Sequence, residues 1–127
     1  MRERIPEERR QLVRDLYHDS ISYHTAATLK WVLRNEFYFD YHLQDQPERV
    51  RLVRYEDLVA APESQMRALF AFLGIHFDPK FVAHMRTSSV RKADFPTIDA
   101  AVQALGDAML ARLDAAVATQ PATTEGV

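Results

Sequence analysis

A chain of 127 residues, 47% apolar and 27% charged, has the composition of one ordinary globular domain. A formal charge of −2 and an isoelectric point near 6.2 provide no general attraction to nucleic acid or an anionic membrane, so neither partner is expected. With no cysteine there is no disulfide framework, thiolate nucleophile or sulfur-based zinc site, and no apolar run is long enough to cross a bilayer; a soluble, cytoplasmic protein is expected.

Residues 7–18 read as a helix. Pro6 precedes it, Glu7 and Glu8 suit its positive end, and Leu12, Val13, Leu16 and Tyr17 share one side. Its arginines alternate with Glu3, Glu7, Glu8 and Asp15, the pattern of a solvated face that compensates its own charge. A longer helix from Tyr23 to Leu43 carries Ala26, Leu29, Leu33, Phe37 and Tyr41 on one side and Ala27, Trp31 and Tyr38 on another. Being apolar over much of its circumference, it is expected to be wedged between other layers.

After Pro47, residues 50–55 read as a strand: Val50, Leu52 and Val53 favour extended backbone, and the run ends in the polar Tyr55, Glu56 and Asp57. As neighbours on a strand, Glu56 and Asp57 face opposite ways and cannot act together as an acid/base pair. Pro62 then opens a helix with Met66, Leu69, Phe70 and Leu73 in one stripe, and Gly74 closes it. A short helix from Pro79 to about Arg86 and a polar loop from Thr87 to Lys92 follow. Thr97 is the expected cap of a final helix burying Ile98, Val102, Leu105, Met109 and Leu113. Residues 1–118 form the expected domain and 119–127 a frayed tail.

A strand followed at once by an amphipathic helix belongs to parallel α/β sheets, where ligands collect beyond the strand ends. One strand alone has no neighbour for its ladder N–H and C=O groups. The expectation is therefore an α/β fold of which this chain is the C-terminal part, mostly helical with one strand at about 50–55.

The order Trp31, then Arg54-Tyr55-Glu56-Asp57-Leu58, then Pro62, then Phe72-Leu73-Gly74 resembles a segment of the sulfotransferases that use 3′-phosphoadenosine 5′-phosphosulfate. The likeness spans about residues 23–92 and, loosely, the last helix. It implies a P-loop-type sulfotransferase fold, a sulfuryl donor of that kind, no metal, and a small-molecule or glycan acceptor. It also implies that Tyr55 lies by the adenine and that Thr87 and Ser88 contact the same ring, roles a phenol wall and two hydroxyls suit. Arg91 and Lys92 lack the glycine and the spacing of the family's 3′-phosphate element.

Nothing in residues 1–49 resembles the family's phosphate-binding loop, and none of the histidines at 18, 24, 42, 76 and 84 has the context of its general base. The implied reading is a segment on the adenine and acceptor side that lacks the catalytic half, has no catalytic residue of its own, and awaits an N-terminal portion of the same domain. The competing reading is a small helical interaction module, with residues 50–55 irregular and the aromatic helix docked on a partner. The two part at Tyr55, which should face an open cleft in the first and be packed in the second.

Overall fold

A computed structural model describes residues 5–85 and 96–122. Its chain divides into two units. The first comprises residues 5–41 and 96–113, with helices α1 (Glu7–Leu16), α2 (Tyr23–Asp40) and most of α5 (Ala100–Thr119). Pro6 suits the start of α1 because its missing N–H would go unused there, and its carbonyl accepts from Arg9 and Arg10 N–H at 3.0 and 3.2 Å. Along α1, Arg14 pairs with Glu7 and donates to Gln11, and Gln11 donates to Asp15, so this part of the surface does balance its own charge.

Ser22 caps α2: its Oγ accepts from Thr25 N–H at 3.2 Å and donates to Thr25 Oγ1 at 2.8 Å. Thr25 is wholly buried, and its Oγ1 also accepts from Asp99 N–H at 3.1 Å, just ahead of α5. α5 begins at Ala100, so Asp99 rather than Thr97 occupies the capping position. The core of this unit is Leu29, Val32, Tyr38, Val102 and Met109. Gly106 is buried too, and a Cβ there would meet Thr28 Cγ2 at 3.2 Å, so the glycine allows α5 and α2 to approach closely.

α2 is not wedged between layers as its composition suggests. Tyr23, Trp31, Phe37 and Tyr41 are exposed, and the buried line runs through Thr25, Leu29 and Val32. Polar links along its acidic end fix it: Glu36 lies 3.4 Å from Arg9 and 3.2 Å from Arg112, Asp40 pairs with Arg9, and the Arg112 guanidinium stacks 4.0 Å from the centre of Phe39.

The second unit comprises residues 42–85 and 114–122. It holds a short 3₁₀ turn (Leu43–Asp45), α3 (Tyr55–Ala60), α4 (Pro62–Leu73), a 3₁₀ turn at Pro79–Val82 and the end of α5. Its buried side chains among the described residues are Val59 and Val82, and Phe70, Phe77 and Phe81 pack with ring centres 5.6 to 6.4 Å apart.

The expected strand is absent. Among the described residues there is no strand at all, residues 51–54 are irregular, and Tyr55 already belongs to a helix. The α/β assignment and the P-loop-type fold are therefore corrected to a helical architecture. Two physical causes are visible: no described segment offers a ladder to the β-favouring run, and Glu56 and Asp57 lie in the first turn of α3, where carboxylates favour helix. Glu56 and Asp57 are thus helix neighbours rather than strand neighbours. Among the described residues no helix is long and apolar enough to cross a membrane.

Candidate functional site

The segment at the centre of the sequence reading, residues 50–78, starts as irregular backbone and becomes a pair of helices. Arg54 is extended, with φ −86° and ψ 130°, and the chain turns into α3 at Tyr55. Pro62 occupies the first turn of α4, where its missing N–H costs nothing. Gly74 ends α4 in the left-handed region at φ 69°, and Ile75 N–H reaches back to Phe70 C=O at 2.9 Å, closing the last turn.

The backbone of Leu52 finds its partner in one side chain. Leu52 N–H donates to Gln120 Oε1 at 2.6 Å, and Gln120 Nε2 donates to Leu52 C=O at 3.1 Å. A carboxamide carries a donor and an acceptor side by side, so Gln120 does for this residue what a neighbouring strand would do. The same end of the chain receives Arg51, which donates to Pro121 C=O, while Arg54 Nε lies 3.2 Å from Asp114 Oδ1. That last contact is an ion pair without hydrogen-bond alignment, since Asp114 Oδ1 is buried and accepts no hydrogen bond.

Arg51, Leu52 and Arg54 line a pocket of about 160 Å³ together with Ala68, Leu69 and Val117 and with Asp57, Gln65 and Gln120. It is smaller than the roughly 300 Å³ at which ligand pockets usually begin. A phosphosulfate needs cations and N–H groups that are not already spent on the protein. Of the two guanidinium groups lining the pocket, Arg54 is ion-paired with Asp114, and Arg51 spends one N–H on the Pro121 carbonyl. At about 160 Å³, and with one of its two guanidinium groups ion-paired, this pocket does not fit the anionic part of 3′-phosphoadenosine 5′-phosphosulfate.

Of the three residues implied to meet its adenine, Tyr55 is the first residue of α3, keeps 55% of its surface exposed and does not line this pocket. Thr87 and Ser88, like Arg91 and Lys92, lie outside the described residues. No group of three or more potential metal ligands occurs among the described residues, and His18 stands 3.4 Å from Asp99, an exposed pair. Gln120, Asp114 and Pro121 were not singled out from sequence. They act on residues about sixty to seventy positions away, and no local pattern announces such a contact.

A family model described as the sulfotransferase family matches residues 5–79, more than half of the chain and the whole of the 50–78 segment. No curated protein and no solved structure matches.

Proposed function

The chain belongs to the sulfotransferase family, and on that premise we propose that it supplies the adenine-side and acceptor-side segment of a site using 3′-phosphoadenosine 5′-phosphosulfate, without the groups that carry out transfer. The observation carrying this reading is Tyr55, an exposed phenol at the point where extended backbone turns into the α3–α4 pair, inside the matched segment. Thr87 and Ser88 complete the adenine contact in this reading. The acceptor is a small molecule or a glycan, and the location is cytoplasmic. Sulfuryl transfer requires stabilisation of charge on the leaving phosphate and a base for the acceptor. No residue of the chain is assigned either task in this reading, and the chain by itself is expected not to turn over.

A thermal melt of the chain with and without adenosine 3′,5′-bisphosphate tests the binding half. A tenfold excess over the dissociation constant stabilises the folded state by about 1.4 kcal/mol. The melting temperature should rise with nucleotide and the rise should vanish in Tyr55→Ala. A cooperative melt that ignores millimolar nucleotide sinks the adenine-side assignment, and sulfated product formed by the chain alone sinks the non-catalytic one.

A second reading, a helical interaction module, draws on the irregular 51–54 segment and on the exposed Tyr23, Trp31 and Phe37 of α2 and Tyr41 just beyond its end. It requires the chain to co-elute with a protein partner and Tyr55→Ala to be silent in the nucleotide melt.

A further inference from the structure

The first unit contains a second, larger cavity that the nucleotide reading does not use. It lies between α1 and α2, measures about 310 Å³, and so reaches the size at which ligand pockets begin, roughly 300 Å³. Its apolar walls are Ile5 and Val13 on the α1 side and Leu33 and Phe37 on α2. Tyr41 stacks on Phe37 with ring centres 5.9 Å apart and extends that wall.

The rim has a single sign. Among the described residues Arg9, Arg10, Lys30 and Arg34 line the cavity, and no carboxylate does. Arg9 is turned to Asp40 and Glu36, which leaves its charge matched. Arg10, Lys30 and Arg34 have no ion-pair partner among the described residues, although the surface of α1 elsewhere balances its own charge. Three unmatched cations around an apolar hollow form a potential that favours a ligand with complementary charge and an apolar body.

We propose that this cavity binds a small amphipathic anion: an apolar body about the size of two fused rings carrying one carboxylate or sulfate-type head. The body sits on Val13, Leu33 and Phe37, and the head meets Arg10, Lys30 and Arg34. This inference does not depend on the adenine-side reading, since it concerns other residues and another ligand.

Calorimetric titration of the full chain separates body from head. Naphthalene-2-sulfonate and naphthalene-2-carboxylate should bind saturably with one-to-one stoichiometry, and the tighter of the two names the head group. Naphthalene-2-methanol, the body without charge, and inorganic sulfate, the head without body, should each bind at least about tenfold more weakly, equivalent to about 1.4 kcal/mol. The double variant Arg10→Gln/Arg34→Gln changes two exposed side chains, so its far-UV circular dichroism and melting temperature should match the parent. Its affinity for the better anion should fall about tenfold, while the weak binding of the alcohol stays put. Lys30→Gln alone should produce a smaller loss of the same kind, and Phe37→Ala should weaken the alcohol and the anion together. Alcohol binding as tight as anion binding, unchanged anion affinity in a folded double variant, or a titration that never saturates would each overturn the proposal.

Discussion

Two side chains carry long-range links that their neighbours in sequence do not foreshadow, and each yields a prediction. Gln120 meets both the N–H and the C=O of Leu52, a half-buried residue with no strand beside it. Gln120→Ala removes both partners at once, and leaving such groups unpaired costs about 1–3 kcal/mol. Gln120→Glu should be nearly as harmful, because a carboxylate keeps the acceptor but has no hydrogen for the Leu52 carbonyl. Denaturant titrations of both variants measure this; midpoints equal to the parent's would show that water replaces the amide without loss. Arg9 is the other case. Its hydrogen bond to Asp40 raises its pKa, against the smaller opposing effect of burial, with Asp40, Glu36 and Glu8 adding charge attraction. A pKa raised on folding adds stability that is complete below the unfolded value and is lost only as pH climbs through the folded one. For a guanidinium that window lies far above neutrality. Arg9→Gln should therefore destabilise the fold by about 1 kcal/mol, the upper end for a partly exposed pair, and by the same amount at every pH from about 6 to about 9. A penalty that shrinks between those two pH values contradicts the assignment.

At the level of elements, what could be read from sequence was whatever is decided locally. Pro62 and Gly74 bound α4 as their backbone chemistry requires, and Glu7 and Glu8 open α1. Gly74 supports a clean test: its φ is 69° and a Cβ there would touch nothing within 4 Å, so Gly74→Ala is a purely conformational change. It should cost about 1 kcal/mol, and Gly74→Asn, which tolerates the left-handed region better, less than that. Thermal melts of the two variants check the order; an alanine variant as stable as the parent would mean that α4 ends differently in solution. The run Val50-Arg51-Leu52-Val53 shows where local reading stops. Extended, β-favouring backbone becomes a strand only if another strand presents its edge, and that is a property of the rest of the fold. Here the available partner is one glutamine side chain, in a stretch that composition alone marks as frayed tail. α2 misled for a related reason: an apolar circumference shows which faces could be buried, whereas the positions of Glu36 and Asp40 against Arg9 and Arg112 show which face is fixed. The candidate site divides in the same way. The motif singles out Tyr55, while the contacts of Arg51 and Arg54 depend on Pro121 and Asp114, which no local pattern announces.

For the molecule as a whole, the consequential fact is that its two units are unequally supplied with buried surface. The first has Leu29, Val32, Tyr38, Val102 and Met109 buried, with Thr25 hydrogen-bonded among them. Among the described residues the second buries only Val59 and Val82, and no residue of α4 is buried. Stability within a protein follows such local differences, and regions with few buried apolar contacts open at lower free energy than the best-packed ones. Amides of α3 and α4 should accordingly exchange with solvent faster than those of α2 under native conditions. A complementary optical test is available, because the chain's single tryptophan, Trp31, lies on α2 and reports on the first unit, while far-UV circular dichroism sums the helices of both. If the second unit opens first, ellipticity should begin to fall at a lower denaturant concentration than that at which Trp31 emission shifts, and the two curves should not superimpose. Superimposable curves are the signature of one cooperative transition. They would mean that α3 and α4 borrow their stability from the rest of the chain, and that losing Leu52's partner in Gln120→Ala should then loosen α2 as much as it loosens α4.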